Sequence, residues 1–131
     1  MKKIGVLNRD ISEVIASMGH MDMLVVGDAG LPIPRNVRRI DLAVKEGVPG
    51  FLDTVETIAS ELKVQQIIVA EETTHASPHI QEALVKIFAG VDIKTVSHAE
   101  LKDLCRAAAA VVRTGEFTPY ANVILVSGVV F

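Results

Sequence analysis

The residues able to do acid/base chemistry are few in this chain: four histidines, at positions 20, 75, 79 and 98, and a handful of carboxylates set in apolar surroundings. The densest grouping is Gly19-His20-Met21-Asp22 running into Leu24-Val25-Val26-Gly27-Asp28-Ala29-Gly30-Leu31-Pro32. A histidine and two aspartates stand here around a short apolar run, with glycines on either side. The run reads as a buried strand ending at Asp28, with His20 and Asp22 expected at the mouth of the same site, across a turn. Ligands gather near strand ends in open α/β sheets, and a histidine brought together with carboxylates there exchanges protons near neutral pH.

Other candidates carry competing readings. His75 and His79 have the spacing of two metal ligands on one helical face, but Pro78 falls between them and is expected to start a helix, which breaks that geometry. No metal site is expected. His98 follows Ser97 at a predicted helix start, and Lys102 falls one turn later on the same face; a surface cap with a surface lysine and a pair of ligand contacts are equally open. Tyr120, the one tyrosine, lies in Pro119-Tyr120-Ala121-Asn122 directly before the last apolar run. Its polar tip on a rigid apolar body suits a ligand contact and equally a loop anchor, while Asn122 at a strand start also suits the role of satisfying turn backbone. There is no G-x-G-x-x-G and no phosphate-binding P-loop, so nucleotide binding has little support.

The elements that must position these residues follow from periodicity. Asn8 to Met18 keeps helical spacing through Ile11, Val14, Ile15 and Met18, with Gly19 expected as a left-handed cap. Met23–Gly27, Arg38–Leu42, Gln66–Ala70, Ile93–Val96, Ala109–Arg113 and Asn122–Val126 read as strands. Further helices are expected from Phe51, from Pro78 to a stop at Gly90, and from a capping box at Ser97-His98-Ala99-Glu100. Alternation of this kind implies a three-layer α/β/α domain over residues 1–131, its sheet of about six strands mostly parallel. Thr114 to Ala121 is too short for a crossover helix, so the last strand is expected to be antiparallel or displaced.

Composition bounds the rest. Half of the 131 residues are hydrophobic but only 4% aromatic, so the core is aliphatic. A net charge of −3 gives no electrostatic reason to expect nucleic acid or an anionic membrane. Arg35, Arg38 and Arg39 are read as a solvated loop cluster. Cys105 stands alone, which excludes an internal disulfide, and its setting among Leu104 and Ala107 to Ala110 favours an inert packed thiol. No apolar run approaches the roughly 20 residues of a membrane span, so a cytoplasmic location is expected.

Taken together, the motifs resemble the D-ribose pyranase family, a sugar-isomer group that also includes the fucose mutarotases. The match runs from Lys2-Lys3 to Asn8, through Gly19-His20-x-Asp22, Asp28-Ala29-Gly30-Leu31-Pro32 and Ser97-His98. It closes with Arg113-Thr114-Gly115-Glu116-Phe117-Thr118-Pro119-Tyr120-Ala121-Asn122 and an apolar end at Phe131. The Asp-Ala-Gly-Leu-Pro segment and the Tyr-Ala-Asn ending resemble the ribose branch. The resemblance implies His20 as the catalytic acid and Asp28, His98, Tyr120, Ala121 and Asn122 as sugar contacts, with Lys102 as an addition. It also implies a cofactor-independent enzyme acting on a monosaccharide such as D-ribose, assembled as a cyclic homo-oligomer (pentamer or decamer) with sites at subunit contacts.

The implied chemistry is modest. A pyranose is a hemiacetal, and opening it takes a proton off the anomeric hydroxyl and puts one onto the ring oxygen; reclosure through another hydroxyl gives the furanose. An imidazole, whose ordinary pKa is roughly 6.5, exchanges protons in both directions, with Asp28 or Asp22 as candidates to orient its ring. With no tryptophan in the chain to stack on a sugar, the weight falls on Tyr120. A fucose-type mutarotase, a non-catalytic sugar-binding module and a purely structural oligomer are the competing readings.

Overall fold

The computed structural model describes residues 1–131. In chain order the elements are α1 (Arg9–Ser17), β1 (Met23–Gly27), β2 (Arg38–Asp41), α2 (Phe51–Ala59), β3 (Val64–Ala70), α3 (Glu71–Ala76), α4 (Pro78–Ile87), β4 (Asp92–Val96), α5 (His98–Leu104), a 3-10 turn (Cys105–Ala107), β5 (Ala110–Arg113) and β6 (Val123–Ser127). Helix starts follow local chemistry. The Asn8 side chain accepts from the Ile11 N–H to cap α1, and Ser97 Oγ accepts from the Glu100 N–H to cap α5. Pro78 occupies the first turn of α4, where its missing N–H costs nothing.

One six-stranded sheet holds the order β2-β5-β1-β6-β3-β4. Pairs β2–β5, β5–β1 and β3–β4 are parallel, whereas β6 is antiparallel to both β1 and β3. The last strand is therefore both antiparallel and displaced: it inserts at the centre of the sheet, and all five of its residues are buried. Alternate strand residues feed two cores. Leu24, Val26, Ile67, Val69, Val123 and Leu125 pack with Ile11 and Val14 of α1, Phe51, Val55 and Ile58 of α2, and Ile80 and Leu84 of α4. Val25, Ile68, Val111, Ile124 and Val126 face Leu101 and Cys105 on the other side, with Leu31 and Val37 of the β1–β2 connection completing that layer. The result is the expected α/β/α sandwich with an aliphatic interior. No helix is long and apolar enough to cross a membrane.

Three local expectations change. Gly19 is not a left-handed cap; Met18 ends α1 in extended backbone, and the left-handed residue is Met21, with φ of 72°. The turn closes there because the Met21 N–H donates to the Ser127 carbonyl at 2.9 Å and the Asp22 carboxylate accepts from the Gly19 N–H at 2.7 Å. The Arg35–Arg39 segment is not all loop: Arg38 and Arg39 lie on edge strand β2, and Arg38 reaches Asp10 and Glu13 of α1 at 3.2 Å each. Finally, Glu71–Ala76 forms a helix that no apolar period announced, since Thr73 is its one buried residue.

Candidate functional site at the carboxyl edge of the sheet

Because five strands run one way and β6 runs against them, the carboxyl ends of β1, β3, β4 and β5 meet the amino end of β6 at one edge. Val26 of β1 stands opposite Val123 of β6; just beyond that pair, past Gly27, Asp28 comes up to Asn122. The two residues bond reciprocally. Asn122 Nδ2 donates to Asp28 Oδ2 at 3.0 Å, and the Asp28 N–H donates to Asn122 Oδ1 at 3.0 Å. The other Asp28 oxygen accepts from the Gly30 N–H at 2.9 Å. Each carboxylate oxygen keeps a lone pair for a further donor.

At the same edge, the end of β4 delivers His98 to Tyr120. The rings meet edge to face, with centroids 5.0 Å apart and planes at 85°. His98 Nδ1 is buried without a hydrogen-bond partner, and its backbone N–H donates to Glu72 Oε2 at 2.8 Å. Glu72 lies below the usual carboxylate range, held there by a hydrogen bond from its own backbone N–H against the effect of burial, with the His98 N–H adding to it. A cavity of about 400 Å³ opens beside Asp28, lined by Ala29, Arg113, Glu116 and Thr118. A second, of about 380 Å³, lies between Tyr120 and the Glu71-Glu72-His75 face of α3.

Supporting groups hold this edge in shape. Arg113 Nε donates to the Ala29 carbonyl at 3.0 Å while its Nη1 reaches both Asp41 oxygens at 3.2 Å, tying the Asp28-Ala29-Gly30 loop to the end of β2. Glu116 accepts from the Phe51 N–H at 3.1 Å and from the Thr118 hydroxyl at 2.7 Å. Partial burial pushes the Glu116 carboxyl up, but hydrogen bonds from the Thr118 hydroxyl and the Phe51 and Thr118 N–H groups outweigh it and leave the group below the usual range.

His20 is elsewhere. It precedes β1, whereas Asp28 follows it, so the strand's five residues separate them by roughly 16 Å at about 3.3 Å per residue. The expectation that His20 and Asp28 share one mouth fails within a single chain for that reason: a strand delivers its two ends to opposite edges of a sheet. At its own edge His20 is exposed, with Nε2 2.9 Å from Gln65 Oε1 at the start of β3. Gln65, not an aspartate, contacts the ring. Asp22 closes the turn that presents it.

The remaining sequence candidates also separate. Lys102 is exposed and lines a different cavity, with Pro32, Pro34 and Arg106. The Ala121 methyl is fully buried in the core, so it spaces Tyr120 from Asn122 and offers a ligand only backbone. His75 and His79 fall on different helices, as Pro78 dictates. No group of three or more metal-binding side chains is clustered. Sequence reasoning missed Glu72, Thr73 and Ser77, which brace His98 and Tyr120; the only signal available was their position just after an unmistakable strand.

A model described as the RbsD / FucU transport protein family matches residues 1–130. A protein of Symbiobacterium thermophilum named D-ribose pyranase is 57% identical over 131 residues, covering 100% of both chains, and one of the same name from Chloroflexus aggregans is 58% identical over the same span. The structure of Bacillus subtilis RbsD complexed with D-ribose covers 100% of both chains with a TM-score of 0.97 at 45% identity. FucU from Bifidobacterium longum, at 23% identity and a TM-score of 0.81 over 95% of this chain and 97% of its own, shares the fold.

Proposed function

The chain belongs to the RbsD/FucU family, and from that premise we propose that it interconverts the pyranose and furanose forms of D-ribose. The observation that carries this reading is the reciprocal Asp28–Asn122 pair beside the His98–Tyr120 pair at one sheet edge. A sugar presents hydroxyls, each a donor and an acceptor, and needs paired partners more than charge. Asp28 offers acceptors, and Tyr120 and His98 offer groups that both donate and accept. The naming of full-length relatives as D-ribose pyranase and the ribose complex of the Bacillus subtilis protein support the same substrate.

Ring opening moves two protons: the anomeric hydroxyl loses one and the ring oxygen gains one. Turnover in both directions needs a group that holds a proton and releases it near neutrality, and an imidazole does so. His20 takes that role, with Asp28, His98, Tyr120 and Asn122 holding the hydroxyls. Since His20 stands at the far edge of its own sheet, it acts on the sugar bound by a neighbouring copy. Closed point-group assemblies place the same two patches together at every contact, so a cyclic homo-oligomer supplies one complete site per interface.

The test is saturation-transfer NMR on equilibrated ribose, with fucose run alongside. Acceleration of pyranose–furanose exchange by catalytic amounts of protein is expected for ribose. Binding without any acceleration would make the chain a sugar-binding module, and faster anomer exchange with fucose than with ribose would make it a mutarotase.

A further inference from the structure

Tyr120 adopts a backbone conformation that a tyrosine resists. Its φ is 59°, in the left-handed region where a side chain crowds the following carbonyl, and such residues persist only where the surroundings over-determine them. The restraint comes from two hydroxyls around the α3–α4 junction. Thr73 Oγ1 donates to the Tyr120 carbonyl at 2.8 Å, and Ser77 Oγ donates to the Pro119 carbonyl at 2.7 Å. Thr73 is 0% exposed and Ser77 1%, so neither hydroxyl has water as a substitute partner.

The same short helix reaches the other ring, through the bond from the His98 N–H to Glu72 at 2.8 Å. The Tyr120 carbonyl also accepts from the Asn122 N–H at 2.9 Å. Rotation of that peptide therefore disturbs both the Tyr120 ring and the Asn122 side chain that clasps Asp28. One bracket, Glu72 to Ser77, sits behind His98 and behind the Pro119–Tyr120 backbone that leads into Asn122.

We infer that Thr73 and Ser77 are positioning residues for the sugar site, an inference that rests on the ribose reading. They fix the Pro119 and Tyr120 carbonyls so that the Tyr120 ring faces the ligand, and Asn122 keeps its hold on Asp28, before the ligand arrives. A pre-set site loses less freedom on binding, so the two hydroxyls raise affinity without touching the sugar.

The chain has one tyrosine and no tryptophan, which makes the tyrosine band of its near-ultraviolet circular dichroism a reporter of the Tyr120 ring alone. Wild type is compared with Thr73→Val, Thr73→Ser and Ser77→Ala, and with Ile58→Val as a control that thins the core on the α2 face. Thr73→Val is expected to lose most of the band while its far-ultraviolet spectrum stays native. Its ribose dissociation constant and KM are expected to rise about tenfold, the order expected of one lost buried hydrogen bond, with kcat less affected. Thr73→Ser restores band and affinity. Ile58→Val lowers the melting temperature and leaves both intact.

A Thr73→Val protein with wild-type band and affinity overturns the inference, as does one whose losses merely follow its melting temperature as in the control. Should Thr73→Val not fold, Ser77→Ala carries the same expectation at smaller amplitude and decides the matter. The band needs no ribose: wild-type protein that fails to exchange ribose overturns the functional reading, while a Thr73-dependent band still supports the bracket.

Discussion

Asn122 and Asp28 lie 94 positions apart in the sequence and bond to each other twice, side chain to side chain and backbone to side chain, both at 3.0 Å. Asn122 is fully buried. An Asn122→Ala change removes a donor from the Asp28 carboxylate and an acceptor from the Asp28 N–H at once. Such a loss is expected to lower folding stability by about 1–3 kcal/mol, read as a lower denaturant midpoint. The same variant is expected to bind ribose more weakly in calorimetry, because Asp28 loses its fixed orientation. Unchanged affinity in folded Asn122→Ala would mean that the pair serves the fold alone.

Close packing guards that pair. A β carbon added at Gly27 would stand 2.6 Å from Leu31 Cδ2 and 2.9 Å from Asn122 Oδ1. Gly27→Ala therefore pushes Asn122 off Asp28, and overpacking of this kind costs about 1–3 kcal/mol. We expect it to reproduce the weakened ribose binding of Asn122→Ala with no change in the polar groups themselves. Isothermal calorimetry on the two variants side by side decides whether geometry or chemistry at Asn122 matters.

Much of this arrangement was legible in the sequence, and the illegible part has two physical causes. Apolar periodicity and caps announce α1, α2, α4 and α5 but not Glu71–Ala76, because a helix with one buried residue has no apolar stripe to read. The strands were found, and β6 was expected to break the parallel pattern. What periodicity does not carry is where a strand inserts. Placing β6 between β1 and β3 is what joins Asn122 to Asp28 and Tyr120 to His98, and what leaves His20 at the opposite edge. Nearness in sequence grouped His20 with Asp28; strand geometry separates them. The family resemblance supplied the grouping of Asp28, His98 and Tyr120 to Asn122, which local spacing alone left open.

Glu116 gives an acid-stability prediction. Its carboxyl is depressed in the folded chain, so the charged form is the one the fold favours. The stabilisation is present above the ordinary glutamate value of roughly 4.3 and is lost as pH falls through the lower folded-state value. Glu116→Gln is expected to be less stable than wild type by roughly 1–2 kcal/mol at pH 7, with the gap narrowing in acid. Urea midpoints measured down a pH series check it; a gap that widens in acid contradicts the assignment.

Cys105 is expected to be chemically silent. It is 0% exposed, burial pushes its thiol from 9.0 up to about 11 against a hydrogen bond from its own backbone N–H that lowers it, and Sγ donates to the Leu101 carbonyl at 3.3 Å. A thiol raised in this way holds little thiolate near pH 8, even before access is considered. Iodoacetamide should leave the native protein unlabelled at that pH and label it readily in denaturant. Labelling of the native state at a free-thiol rate would mean that the α5 face opens.

The separation of His20 from Asp28 makes the sharpest prediction. His20 is exposed, so His20→Ala should fold with an unchanged melting temperature, keep its ribose affinity within about threefold, and lose most of its exchange activity, general acid–base groups being worth about a hundredfold or more. Asp28→Asn should instead lose affinity. If each site takes Asp28 from one copy and His20 from the next, both variants are inactive alone but complement each other. Random mixing of equal amounts in a closed ring leaves about a quarter of the sites with both native residues, so co-expressed His20→Ala and Asp28→Asn chains should recover about a quarter of wild-type exchange. A mixture no more active than its parts would place both groups in the same copy, which the five-residue span of β1 opposes, or would remove His20 from the reaction.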